Sequence, residues 1–177
     1  MLGLKLGGAL VVLAAALGLG LCLASRWRQR LCLLQGLRRL VYFLKGEITY
    51  SRAPLPEALK LAGARSGGVF GELFLKAAGR IARQEGESFK ELWEEQVEEL
   101  EARRGELALT GEDFQSLKEL GSHLGYLDLE MQERTIGLYL EQLDLTISDL
   151  QERGRDMCRL YTSLGLMGGL FLVILLL

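Results

Sequence analysis

The side chains able to do chemistry are few and scattered. The one histidine, His123, lies among glycines that read as a helix end, far in sequence from Cys32 and Cys158. That spacing suggests neither a metal site nor a Cys-His nucleophile pair. Cys22, Cys32 and Cys158 match no disulfide framework and no zinc pattern, so they read as ordinary buried thiols. The glycines fit neither the G-x-x-x-x-G-K-[ST] phosphate loop nor a dinucleotide fingerprint. The chain is therefore not itself an NTPase of the common kinds, and no cofactor or enzymatic activity is expected. The densest set of titratable groups is EGESFKELWEEQVEELEARR, with Glu94, Glu95, Glu98 and Glu99 at its centre. As acid/base material it shows no sign of burial; it reads either as a solvated helix face or as an electrostatic docking surface for a basic partner. A net charge of −2 lacks the basic excess that a phosphate backbone demands, so nucleic acid is not an expected partner.

The elements that would position these groups are helical. Two prolines, abundant Leu, Ala, Glu and Arg, and few β-branched residues give an all-α class. The pattern predicts a helical bundle of about six helices. Leu31, Leu34, Leu37, Val41, Leu44 and Ile48 recur at steps of three or four and mark a first helix ending near Tyr50. Pro54 breaks it, Pro56 suits the first turn of a second, and Gly63 suits a stop. Val69, Phe70, Leu73, Phe74, Ala77 and Ile81 mark a third helix after Gly67 and Gly68, closed by Gly86. Ser88 with Glu91, and Thr110 with Asp113, form capping boxes for a fourth and a fifth. The fourth carries Phe89, Leu92, Trp93, Val97 and Leu100; the fifth carries Phe114, Leu117 and Leu120 and ends around Gly121 to Gly125. From about Leu127 a sixth helix follows a heptad seam through Ile136, Leu140, Leu143, Ile147, Leu150, Gly154, Met157, Tyr161 and Leu164.

Both ends of the chain are apolar. Leu6–Ala24 is uncharged and long enough as a helix for a hydrocarbon core of roughly 30 Å; a cleaved signal peptide is the competing reading. Leu164–Leu177, extended back to Leu160, is a second uncharged run, with no polar face of the kind that an interfacial helix needs. The expectation is a transmembrane segment over residues 1–25, a cytoplasmic helical domain over 26–160 and a second transmembrane segment over 161–177. The first and last helices would be long and continuous with the two spans. Arg26, Arg28 and Arg30 after the first run, and Arg155 and Arg159 before the second, place the domain inside by the positive-inside rule. With Trp27 and Tyr161 they form a membrane-interface set suited to lipid headgroups.

Four stretches carry a family resemblance: the N-terminal apolar run, I-T-Y-S-R-A-P-L-P-E-A-L (Ile48 to Leu59), F-x-x-L-K-x-L-G-x-x-L-G (Phe114 to Gly125) and S-L-G-x-x-x-G-L-x-L-V-I-L-L (Ser163 to Leu176). With them the chain resembles the stage III sporulation protein AB family of endospore-forming bacteria, essentially end to end. The resemblance implies membership in a secretion-like assembly between mother cell and forespore, at the mother-cell membrane. It also implies a domain similar to the helical domain of the type II secretion inner-membrane platform protein. A secretion-type ATPase and other stage III sporulation membrane proteins are the implied partners, and a homo-oligomer is allowed. No catalytic residues are implied. The turn Pro54, Leu55, Pro56 and the stretch Phe114 to Gly125 serve either as contacts or as structural punctuation. A membrane sensor or transducer built on paired long helices is the alternative reading.

Overall fold

The computed structural model describes the backbone of residues 2–83, 88–125 and 128–176, and the side chains of 25–83, 88–125 and 128–154. Every described element is an α-helix: α1 (Leu2–Thr49), α2 (Leu55–Ser66), α3 (Gly68–Ala82), α4 (Phe89–Ala102), α5 (Gly111–Leu124) and α6 (Leu129–Leu176). Two compact units are present, Cys32–Ile147 and Met1–Leu31 with Ser148–Leu177.

In the unit Cys32–Ile147, each helix contributes one apolar stripe. Leu34, Leu37, Leu40, Val41, Leu44 and Ile48 of α1 are buried, as are Ile136, Tyr139, Leu140, Leu143 and Ile147 of α6. The helical period brings such residues onto one face, and burial of each large side chain contributes about 1.5–3 kcal/mol. Cys32 falls on the opposite face of α1 and is exposed, which corrects the reading of this thiol as buried; Cys22 and Cys158 lie outside the described side chains. Leu107 and Leu109 in the connection between α4 and α5 also enter the core, although that loop carries no helical period.

The two capping boxes form as the sequence requires. Glu91 donates its backbone N–H to the Ser88 hydroxyl, and the Glu91 carboxylate accepts from the Ser88 N–H. Thr110 and Asp113 repeat the exchange at α5. Gly63 does not stop α2. The helix runs on to Ser66, and Gly67, at φ +60°, makes the turn with Gly68 at φ +66°, a region that L side chains rarely enter.

The expectation that α1 and α6 are continuous with transmembrane segments is overturned. Among the described residues no helix is long and apolar enough to cross a membrane. The described part of α1 carries Arg26, Arg28, Arg30, Arg38, Arg39, Lys45 and Glu47, and that of α6 carries a charge in nearly every turn. Neither offers the roughly 20 apolar residues that a span needs. The side chains of the two terminal runs lie outside the described residues.

Candidate docking surface

The acidic helix α4 is anchored from within. Trp93 is fully buried, packs edge-on against Phe74 with ring centroids 5.3 Å apart, and donates its indole N–H to the Leu117 carbonyl at 2.8 Å. Space for the indole comes from α5: a Cβ on Gly121 would lie 1.9 Å from Trp93 Cδ1, and one on Gly125 would lie 2.9 Å from Phe89 Cβ. The glycines of the Phe114 to Gly125 stretch are thus sockets for the aromatics of α4. Gly121 lies within α5 and does not end it.

This anchoring turns the glutamates outward, where neighbouring helices meet them. Arg80 of α3 pairs with Glu95 at 2.6 Å, and Lys76 of α3 with Glu99 at 3.6 Å. Lys118 of α5 lies 3.4 Å from Glu98 and 3.1 Å from Glu101. Lys90 reaches Glu94 along α4 itself, at 3.9 Å. The hydrogen bond to Glu101 is the largest influence holding the Lys118 ammonium above its ordinary pKa of 10.5; partial burial opposes it and Glu98 adds to it. Every one of the four candidate glutamates therefore has a basic partner on the protein's own surface. Apart from Lys90–Glu94, which sits at i,i+4 spacing, these pairs join residues on different helices, so no pattern along the chain announces them. Exposed pairs of this kind contribute about 0–1 kcal/mol each to stability, and their main effect is to order the charged side chains across α3, α4 and α5.

Between α3 and α4 a narrow cleft of about 70 Å³ opens among Glu72, Lys76, Gln96, Glu99 and Arg103. Gln96, 5% exposed, is one of the few buried polar side chains. The turn before α2 lies elsewhere on the unit: Pro54 is exposed and caps the helix without a side-chain hydrogen bond, while Leu55 and Pro56 are half-buried. Nearby, the carboxylate of Glu47 is 11% exposed and meets Arg65 at 3.3 Å. No sequence periodicity singles out this pair, in which a buried carboxylate meets an exposed guanidinium.

The remaining chemical candidates are dispersed. His123 is exposed in the last turn of α5, where a cation complements the helix dipole. Among the described residues no group of His, Cys, Asp and Glu could hold a metal ion. The Tyr139 hydroxyl is buried beside Ser116 without a geometrically sound hydrogen bond, and burial pushes the phenol well above its ordinary range.

Of the membrane-interface set, Arg26 and Arg28 are exposed and Arg30 half-buried. Trp27 donates its indole N–H to the Leu150 carbonyl at 2.9 Å. A Cβ on Gly154 would stand 3.2 Å from that indole nitrogen, so Trp27 is a packing residue of its own unit. Arg155, Arg159 and Tyr161 lie outside the described side chains.

Comparison with known proteins gives a consistent result. The family model for stage III sporulation protein AB matches residues 5–177. Stage III sporulation protein AB of Bacillus subtilis (strain 168) is 27% identical over 173 residues, covering 98% of this chain and 99% of that protein. A solved structure of a stage III sporulation protein AB aligns with a TM-score of 0.62 at 24% identity, over 72% of this chain and 97% of the other, and it supports the fold. With a match across nearly its whole length, the chain belongs to the stage III sporulation protein AB family.

Proposed function

We propose that this chain is a non-catalytic adaptor of the secretion-like assembly between mother cell and forespore, and that its helical bundle docks the assembly's ATPase in the mother-cell cytoplasm, at the membrane facing the forespore. The family is one of sporulation proteins, named for a developmental stage and not for a reaction. The observation that supports docking is the charged surface across α3, α4 and α5, in which Glu94, Glu95, Glu98 and Glu99 are each held by a basic neighbour. Side chains ordered before encounter lose less entropy on binding, and fixed alternating charges select a complementary partner. The turn Pro54, Leu55, Pro56 is a second candidate contact, with its proline geometry already set.

The test is affinity recovery of the full chain from sporulating cells. The wild-type chain should bring down the ATPase, and Glu95→Lys with Glu99→Lys should lose it while retaining the helical circular dichroism of the parent. Clean absence of the ATPase from the wild-type sample would count against the adaptor reading.

A further inference from the structure

The outer face of α6 is built on a different plan from that of α4. Met131, Leu138 and Leu145 recur at seven-residue spacing and are 48%, 59% and 73% exposed. Seven residues are nearly two turns, drifting about 20° per step, so the three side chains align as one stripe. The core stripe of Ile136, Leu140, Leu143 and Ile147 is already buried on another face. A helix serving one core needs one apolar stripe, and α6 has two.

Leu138 forms a ridge between two grooves. One, of about 480 Å³, lies between Leu120 and His123 of α5 and Met131 and Leu138 of α6. The other, of about 370 Å³, lies between Lys45 of α1 and Gly137, Leu138 and Glu141 of α6. A ridge flanked by grooves can interlock with a copy of itself.

The charges point to the same occupant. Arg134 and Glu141 flank the stripe on one side, four residues before and three residues after Leu138, and neither makes an ion pair among the described residues. When a second α6 is set antiparallel, with a two-fold axis level with Leu138, Met131 meets Leu145 and Leu138 meets Leu138. Arg134 then comes beside Glu141 of the other copy, twice. On the other flank Thr135 meets Gln142. A parallel two-fold pairing would instead set Arg134 beside Thr135 and Glu141 beside Gln142 of the other copy, so that neither charge finds an opposite partner. We propose that this face of α6 is a self-complementary interface for a second copy of the chain, antiparallel about Leu138. Three side chains and their flanks cover less than the ~800 Å² per partner of a standard interface, so the association is weak and concentration-dependent.

Sedimentation of the full chain over a concentration series, with circular dichroism as the folding control, tests this. The wild type should pass from monomer to dimer, and Leu138→Asp should remain monomeric. Arg134→Glu and Glu141→Arg should each weaken association by about tenfold, and the double exchange should restore it to within about threefold, because the reciprocal pairs are re-formed with reversed sign. Leu138→Cys, with Cys22, Cys32 and Cys158 replaced by serine, should cross-link to a dimer on oxidation. A chain that stays monomeric throughout overturns the proposal. So does self-association indifferent to the charge changes, or a double exchange weaker than either single one.

Discussion

The α2–α3 and α4–α5 hairpins both rest on glycine, and they use it in opposite ways. At α2–α3 the two backbones touch: a Cβ on Gly63 would lie 2.8 Å from the Gly71 carbonyl oxygen, and one on Gly71 would lie 2.8 Å from that of Gly63. At α4–α5 the glycines face side chains, with Gly121 receiving the Trp93 indole and Gly125 the Phe89 ring. In the first hairpin glycine permits close helix approach, and a one-residue link through Gly67 joins the helices. In the second it makes a socket for a large aromatic. The contrast separates a contact whose tolerance is set by backbone from one set by a replaceable side chain.

The largest test of that difference is a double-mutant cycle at the socket. Trp93→Ala should cost about 3–5 kcal/mol in denaturant unfolding, and Gly121→Ala about 3 kcal/mol or more because the indole cannot retreat from a fully packed site. The two together should cost less than their sum by over about 1 kcal/mol, since the smaller side chain frees the space that the new methyl needs. Gly63→Ala should cost about 1–3 kcal/mol, the overpacking exceeding the gain in helix propensity of up to about 1 kcal/mol. Here Leu75→Ala should give no rescue, because the obstruction at 2.8 Å is the Gly71 carbonyl and not the Leu75 side chain. Rescue would place the two hairpins in one class.

Smaller effects probe the frame around the socket. Ser88→Ala should lower stability by about 1 kcal/mol through loss of the α4 cap, visible as a shift in the thermal midpoint without a change in far-ultraviolet signal. Lys118→Met should show the smallest effect, and one that depends on pH. The folded-state pKa of Lys118 is raised, so its contribution is fully present below the ordinary 10.5 and is lost as pH rises through the higher folded value. The difference in melting temperature between the parent and Lys118→Met should therefore persist at neutral pH and shrink as pH rises above the ordinary 10.5. A difference that does not change with pH there would assign the role of Lys118 to packing of its aliphatic stem.

Features governed by neighbours a few residues apart were legible in the sequence. Both capping boxes, the stripes of α1, α3 and α4, and the seam Ile136, Leu140, Leu143 and Ile147 follow from helical spacing. Gly63 was misread as a stop, whereas α5 does end within Gly121 to Gly125 as its glycines indicate; what the local pattern could not show is that Gly63 and Gly121 matter for their lack of a Cβ, which only the partner helix reveals. The ion pairs that tie Glu95, Glu98 and Glu99 to α3 and α5 were illegible for the same reason. A run of glutamates looks like one free acidic face until the opposing cations are placed in space. The membrane spans were inferred from hydropathy at the chain ends, and the described helices carry too many charges to continue them.

The two tryptophans, one in each compact unit, supply a pair of internal reporters. Trp93 is sealed among Phe74, Phe89 and Gly121, so its emission should be blue-shifted and should redden only when the α4–α5 hairpin opens. Trp27, half-buried and hydrogen-bonded to Leu150, answers to the other unit. Replacing either tryptophan with phenylalanine leaves a single-colour readout, so unfolding of the two units can be followed separately in the unlabelled chain.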